Sequence, residues 1–470
     1  MWERAPLNLL AVKELTIDQL MFKAEMLEHL PAAIFVFVLG ACVGSFLNVL
    51  VYRLPRNIPL LTPPSSCPKC DHKLRFFREN LPIIGWIAIG GKCRYCKTPV
   101  SIEYPFIELL TAVLFLACYI LCYWVSPSTP FFGEVFGEWW HVNGIYRSLP
   151  MFIALVTMVS GLLAMTIIDA RTFTIPIQIP VFMTIVAMLA AVAQGWMTMR
   201  HTPSQMWPYP AIDWTWAGAS FGGMFGVLLS TVLLKIRVFT YSFADYDEYV
   251  QEGEVLGEYP HARREMCKEL LFVFPILVCF IIGWMAGYEK GMPSLLIQGV
   301  AGSMLGYLVG GGLAWGVRIF GTLGFGREAM GLGDVHLLAG VGAVVGWWDP
   351  ILIFFIAPFS GLLHAGGAVI LEKIGKKQSE IPYGPHLAVA TLLVVFLRPG
   401  INWVWSIAMP GVSQPITEKI QTNRMQDDLT YGAIQVSIPI TPHVVGCDKV
   451  KQDVSLVCGF ESSEMEKGHA

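Results

Sequence analysis

Long apolar runs separated by shorter polar segments dominate this chain. A membrane-spanning helix needs roughly 17–25 predominantly apolar residues. Runs of about this kind occupy residues 32–52, 104–124, 150–168, 178–198, 215–236, 269–288, 294–319, 335–348, 351–371 and 386–406. The run at 335–348 is short and glycine-rich, which is typical of a half-span or a tilted helix. The pattern predicts an all-α polytopic membrane protein with about ten transmembrane helices.

Composition supports this fold class. Hydrophobic residues make up 54% of the chain and charged residues 14%, with a mean hydropathy of +0.56. Soluble domains average about 25% charged residues, so the expected partner of this surface is a lipid bilayer. The net charge of −3 and the lack of a basic stripe with interleaved aromatic residues exclude nucleic-acid binding. No cleavable signal sequence is expected at the N-terminus.

Lysine and arginine positions predict the orientation, because these residues are enriched in cytoplasmic loops. The loop 53–103 carries nine of them, whereas the loop 125–148 carries only Arg147. Alternating from a cytoplasmic 53–103 loop, ten crossings put both termini outside. Asp169 and Asp334 then lie at the cytoplasmic ends of their helices, at the same membrane depth.

The same pattern predicts the domain organisation. It comprises an N-terminal segment 1–31, a first transmembrane helix 32–52, a cytoplasmic loop 53–103, a membrane domain 104–406 with a cytoplasmic insertion at 237–268, and a polar C-terminal tail 411–470. Cys447 and Cys458 in the tail are equally consistent with a disulfide and with two free thiols.

Four of the eleven cysteines form two Cys-x-x-Cys pairs, Cys67/Cys70 and Cys93/Cys96, with 22 residues between them. Two such pairs at about this spacing are typical of a tetrahedral four-thiolate zinc site. Nearby lysines and arginines favour ionised thiols, and a reducing cytosol disfavours disulfides. We therefore expect structural zinc or a similar thiophilic metal. A redox role is the weaker alternative, because thioredoxin-type pairs lie in a βαβ pattern that is absent here.

Two aspartates are the candidate catalytic residues. Asp169 follows the apolar run 151–168, and Asp334 lies in Gly331-Leu332-Gly333-Asp334. A carboxylate at membrane depth is costly and is kept mainly where it faces a polar cavity. Each also has a plainer explanation: Asp169 could pair with Arg171 at the interface, and Asp334 could cap a helix. If the two meet, they form an acid/base pair that shares a proton.

The residues beside Asp334 favour the functional interpretation. Gly331 and Gly333 allow a close approach of the backbone or movement of the carboxylate. Peptide hydrolysis by two carboxylates needs one ionised group to activate water and one protonated group to polarise the carbonyl. His336 could tune Asp334, and a packing role for it is equally consistent with the sequence.

Several blocks of this sequence resemble the type IV prepilin peptidases, in the order found in that family. They span most of residues 35–400 and comprise Gly40–Pro55, Cys67–Cys70, Glu79–Trp86, Cys93–Cys96, Ser101–Thr111, Asp169–Pro176, Phe325–Val335 and Ile381–Pro385. The resemblance implies an intramembrane aspartic protease of the Gly-x-Gly-Asp type, with Asp169 and Asp334 as its catalytic pair. Its substrates would be type IV prepilins or type II secretion pseudopilins, cut at the cytoplasmic face of the bacterial inner membrane.

The cysteine loop resembles that of bifunctional members of the family. The resemblance implies that the new amino terminus is then N-methylated by S-adenosylmethionine. Asn80, Glu103 and Glu108, close to the loop, are candidates for binding the methyl donor. The oligomeric state is not predicted.

Two departures from the family pattern alter the setting of the aspartates. Ile177 and Gln178 follow Pro176, where many members carry an aspartate, and His336 replaces the usual lysine. A histidine titrates near neutral pH, so activity could become more pH-sensitive. Two alternatives remain open from the sequence: a proton-coupled transporter that uses the carboxylates, and a catalytically inactive pilus or secretion scaffold.

Overall fold

The protein is described by a computed structural model covering residues 17–62, 64–67, 69–75, 79–198, 208–245, 259–373 and 382–408. Within these ranges the regular elements are helices. The cysteine loop also contains two isolated β-bridges, Ser66–Lys73 and Lys92–Pro99. The predicted all-α class is confirmed. The chain divides into residues 1–419 and 420–470. The tail, with Cys447 and Cys458, lies outside the described residues.

The helices run in chain order. They are α1 (Ile17–Arg53), α2 (Ile84–Ala88), α3 (Glu103–Tyr119), α4 (Trp139–Thr172), α5 (Gln178–Thr198), α6 (Trp214–Lys235), α7 (Ala262–Gly287), α8 (Leu295–Phe325), α9 (Leu332–Val345), α10 (Trp348–Lys373), α11 (Tyr383–Phe396) and α12 (Arg398–Ala408). A π-helical turn, Ile120–Trp124, continues α3.

Eight of the described helices are long and apolar enough to span a membrane, which agrees with a multi-pass protein. Two predicted spans take other forms. The run 335–348 becomes α9, a helix of only 14 residues, and the run 386–406 becomes α11 and α12, bent by 85°. The first helix also begins earlier than predicted. Pro31 lies inside α1, where it removes one helical hydrogen bond without ending the helix.

Small residues set how closely the helices pack. A Cβ atom on Gly40 would lie 2.8 Å from Ala112 Cα, and one on Gly44 would lie 2.7 Å from Glu108 Cα, so α1 and α3 touch backbone to backbone. Such contacts are a common means of helix association in lipid, where burial of apolar surface gives little gain. The first block of the sequence pattern therefore fixes α1 against the helix that follows the cysteine loop.

Helix α4 lies at the centre of the bundle and α7 at its edge. The most apolar stretch of α4 is 72% buried, whereas the most apolar stretch of α7 is only 6% buried. The inner side of α4 consists of fully buried large side chains such as Leu155, Met158, Leu162 and Met165. A central α4 holds its last turn, which carries Asp169, in a fixed place. The exposed apolar side chains of α7 suit contact with lipid.

Candidate active site

Asp169 lies in the last turn of α4, and its side chain is only 4% exposed. The helix ends because Phe173 adopts a left-handed conformation (φ 53°) and donates its N–H to the Asp169 carbonyl at 2.9 Å. This termination turns the chain into the loop 173–177. The carboxylate consequently sits at the boundary between the helix and that loop.

Asp334 is the third residue of α9 and is 8% exposed. The N-cap is Gly331, and the Asp334 carboxylate folds back toward the Gly331 N–H. An acidic side chain at the third helical position often reaches back in this way. A capping contact therefore exists, but Asp334 makes it from within the helix rather than as the N-cap itself.

The fold brings the two aspartates together. Asp334 interacts electrostatically with Asp169, although 164 residues separate them in the chain. Ile175, in the loop after Asp169, packs against two glycines. A Cβ on Gly333 would be 2.7 Å from Ile175 Cβ, and one on Gly384 would be 3.1 Å from Ile175 Cδ1. The second glycine of the Gly-x-Gly-Asp motif is thus required by close approach to the loop after Asp169.

Gly384 contacts Asp169 directly. A Cβ at Gly384 would collide with the Asp169 carboxylate, and the Gly384 N–H faces that carboxylate as a hydrogen-bond donor. Gly384 belongs to the Ile381–Pro385 block, so its place in the sequence pattern signalled importance without indicating this contact. The site is built from the end of α4 and the starts of α9 and α11.

A buried arginine supports the loop that carries Asp334. Arg318 of α8 is 2% exposed and forms an ion pair of 3.0 Å with Glu269 of α7. It also pairs with Glu328 and donates to the Met330 carbonyl in the loop just before Gly331. Arg318 was not among the residues singled out from the sequence. The signal in the sequence was a charged residue near the end of an apolar run, because charges at membrane depth are kept mainly where they are paired or functional.

The structure also shows the surroundings of Arg171 and His336, two residues near the aspartates. Arg171 pairs with Glu103 at 2.7 Å, so the ion pair suggested for Asp169 is formed by another carboxylate. His336 is half-buried one turn into α9, and within the described ranges its side chain forms no hydrogen bond or ion pair. A role for it in tuning Asp334 stays a prediction.

The cysteine loop consists of two knuckles of the same local geometry. In each, the first cysteine donates its N–H to the carbonyl five residues ahead, Cys67 to His72 at 3.0 Å and Cys93 to Thr98 at 2.8 Å. The residue four positions after that cysteine, Asp71 or Lys97, adopts a left-handed conformation. This repeated turn points both thiols of each pair into one space.

The four thiols fit a tetrahedral metal ion. All four Sγ atoms lie within 4.8 Å of one another, with Cys67–Cys96 at 3.7 Å and Cys70–Cys93 at 3.9 Å. Tetrahedral zinc with Zn–S bonds of about 2.3 Å holds its sulfur atoms about 3.8 Å apart. A hydrogen bond with the Thr98 side chain lowers the pKa of the Cys96 thiol to about 6, which favours the thiolate form that binds metal.

A cavity of about 600 Å³ lies beside the second knuckle, and Glu79, Lys92, Arg94 and Lys97 contribute its charged side chains. None of the three residues predicted to bind a methyl donor lines it. Glu108 accepts the Ile83 N–H at 2.6 Å, Glu103 pairs with Arg171, and Asn80 precedes the cavity's apolar wall. The neighbouring Glu79 was quoted in the sequence pattern but was not proposed as a site residue.

Comparisons with known proteins agree with this arrangement. Residues 38–122 match the bacterial peptidase A24 N-terminal domain, and residues 267–366 match the type IV leader peptidase family. Together the two matches support a type IV prepilin peptidase. Asp334 lies inside the second match, whereas Asp169 lies in the segment between the two.

Curated relatives carry the name prepilin leader peptidase/N-methyltransferase. One from Myxococcus xanthus is 46% identical over 21% of this chain and 29% of its own length. One from Aeromonas salmonicida is 23% identical over 76% of this chain and 87% of its own length. One from Pseudomonas aeruginosa is 32% identical over 30% of this chain and 47% of its own length. No solved structure matches this chain.

Proposed function

We propose that this protein cleaves the leader peptide of type IV prepilins or type II secretion pseudopilins and then N-methylates the new amino terminus. The match to the type IV leader peptidase family and the names of the relatives support both activities. The observation that carries the peptidase is the convergence of Asp169 and Asp334 beside Gly384. The bacterial inner membrane is the proposed location, with the site open to the cytoplasm.

The paired carboxylates provide the chemistry of hydrolysis. Two carboxylates held close share one proton, because like charges resist ionising together. The ionised group takes a proton from water, and the protonated group donates to the scissile carbonyl. Gly384 and Gly331 direct backbone N–H groups at the two carboxylates, which fixes their orientation for the attack.

The cysteine quartet would hold structural zinc through Cys67, Cys70, Cys93 and Cys96. A closed set of four thiolates leaves no open coordination position, so the metal holds the loop in shape rather than acting on substrate. When bound, S-adenosylmethionine supplies an electrophilic methyl group: the terminal amine forms a C–N bond as the C–S bond breaks, S-adenosylhomocysteine leaves, and one proton passes to solvent.

The peptidase assignment is tested by Asp169→Asn and Asp334→Asn in membranes supplied with a candidate prepilin. Each should abolish cleavage, read as loss of the mobility shift and of the new N-terminus by mass spectrometry. Asp213→Asn is the matched control, because Asp213 caps α6 by accepting the Trp216 N–H and lies outside the site. Full cleavage by either of the first two variants would exclude the assignment.

The same variants address the two alternatives from the sequence. A proton-coupled transporter would accumulate a solute in vesicles and lose that uptake with either aspartate, and an inactive scaffold would show no cleavage in the wild type. Neither alternative is favoured by the family. The methyl step is tested by transfer of labelled methyl from S-adenosylmethionine to cleaved pilin.

A further inference from the structure

The cytoplasmic insertion, residues 237–268, contacts the buried arginine that supports the Asp334 loop. The ring of Phe243 faces the Arg318 guanidinium, whose central carbon lies 5.3 Å from the ring centroid. Arg318 is 2% exposed, and a cation is attracted to an aromatic face most strongly where water is excluded. Residues 237–266 fall in neither of the stretches that match a family model. The contact is therefore made by a part of this chain outside those matches.

Phe243 is held in an uncommon backbone conformation. Its φ is 55°, in the left-handed region that residues other than glycine rarely adopt. Glu265, in the first turn of α7, is 2% exposed and accepts the Phe243 N–H at 2.7 Å. The Tyr259 ring meets the Phe243 ring edge to face, with centroids 5.0 Å apart. A strained residue persists only where its surroundings fix it, so these contacts hold the ring against Arg318.

The guanidinium of Arg318 also contacts the loop that leads to Asp334. Its Nη1 donates to the Met330 carbonyl and pairs with Glu328, while the other nitrogens bind a carboxylate of α7. Met330 directly precedes Gly331, the N-cap of the helix that carries Asp334. Arg318 further interacts with Asp334 electrostatically. A shift of the guanidinium would therefore change both the loop backbone and the electric field at Asp334.

A second residue of the insertion holds the start of the same loop. Arg263, in the first turn of α7, donates to the carbonyls of Leu323 at 3.0 Å and Gly324 at 3.3 Å, at the end of α8. One turn earlier in the loop's path, the Thr322 hydroxyl accepts the Ala329 N–H at 3.0 Å. The loop is thus fixed at its start by Arg263 and near its end by the arginine that Phe243 covers.

We propose that the cytoplasmic insertion is a positioning element of the peptidase site, in which Phe243 fixes Arg318 and, through it, the loop that carries Asp334. This inference rests on the proposed leader cleavage and adds to it a residue from outside the family matches. Phe243 acts through Arg318 and is a positioning residue rather than a catalytic one. Its loss should slow the chemical step and leave substrate binding unchanged.

Steady-state cleavage of a candidate prepilin by the full-length protein in detergent separates these two effects. Phe243→Leu keeps apolar bulk but removes the aromatic face from Arg318. It should lower kcat about tenfold, within the range that a desolvated cation–aromatic contact supplies, with KM unchanged. Phe243→Tyr keeps the aromatic face and should restore kcat. Tyr241→Leu is the matched control, because Tyr241 is an aromatic residue of the same segment that is 60% exposed.

A double-mutant cycle tests whether Phe243 acts through Arg318. Arg318→Met removes the guanidinium, so adding Phe243→Leu should slow cleavage further by no more than about twofold, since the effects of coupled residues do not add. The thermal unfolding midpoint is recorded for every variant. Phe243→Leu should lower kcat without a matching fall in the midpoint, which a purely structural role would not produce.

Four results would overturn the proposal while leaving leader cleavage itself established. They are a wild-type kcat in Phe243→Leu, an equal loss of kcat in Phe243→Tyr, a further tenfold loss when Phe243→Leu is added to Arg318→Met, and a rise in KM at unchanged kcat. The last would place Phe243 in substrate binding. A wild type that cleaves none of the prepilins supplied contradicts the proposed peptidase instead.

Discussion

The cysteine loop and the aspartate site are constructed in opposite ways. All four thiols of the loop come from residues 67–96 and are positioned by two copies of one local turn. The aspartate site collects Asp169, Asp334 and Gly384 from three helix ends, and Arg318 of a fourth helix supports it. Local spacing determines the first arrangement, and helix packing determines the second.

This difference separates two kinds of sensitivity to mutation. A four-thiolate site loses its closed coordination when any ligand is removed, because no neighbouring group replaces a sulfur. The aspartate site depends on contacts that no single segment contains, such as Ile175 between Gly333 and Gly384. Small changes in helix packing should therefore affect cleavage while leaving the cysteine loop intact.

The largest expected effect is at a cysteine of the proposed zinc site. Cys93→Ser should remove bound zinc and abolish methyl transfer, while cleavage falls less because Asp169 and Asp334 do not contact the loop's thiols. Zinc is measured by atomic absorption and methyl transfer with labelled donor. Cys267→Ser, an exposed cysteine of α7, is the control. A Cys93→Ser protein with its full zinc content would contradict the four-ligand site.

Removing the buried arginine should have the next largest effect. Arg318→Met leaves Glu269 buried without its partner, which costs about 3–5 kcal/mol, and releases the carbonyl before Gly331. The thermal unfolding midpoint in detergent and the cleavage rate should both fall. The double variant Arg318→Met/Glu269→Met should recover much of the unfolding midpoint but not the cleavage rate. Full cleavage by Arg318→Met would show that the arginine does not position Asp334.

A single methyl group tests the contact between α11 and Asp169. Gly384→Ala should reduce cleavage about 100-fold, the effect of displacing a catalytic group by about 1 Å, and should leave zinc content unchanged. Gly312→Ala is the matched control, because a Cβ there meets nothing within 4 Å. Equal cleavage rates in the two variants would show that Asp169 tolerates displacement.

The smallest effect is expected at the ion pair between the two regions. Arg171 and Glu103 have side chains 49% and 64% exposed, and such pairs contribute at most about 1 kcal/mol. Arg171→Gln should change the unfolding midpoint little, with the difference disappearing at high salt. Glu103→Gln should behave alike. A loss of cleavage in Arg171→Gln as large as in Gly384→Ala would require a direct role for the arginine.

Part of the fold and site could be predicted from the sequence. The apolar runs gave the helices, but the length of α9 and the bend between α11 and α12 depend on packing that hydropathy does not describe. The cysteines were assigned together because their spacing is local. The predicted membrane orientation and the family resemblance paired Asp169 with Asp334. Nothing in the sequence indicated which residues Gly384 and Arg318 would contact.

The sequence by itself determined the all-helical membrane class, the four thiols and the presence of two costly carboxylates. These follow from composition, periodicity and short spacing, which act within one segment of chain. Only the tertiary structure decided that Gly384 contacts Asp169, that Ile175 lies between two glycines, and that Arg171 pairs with Glu103. Contacts between helices depend on which faces meet, and that is set by close packing across the whole bundle.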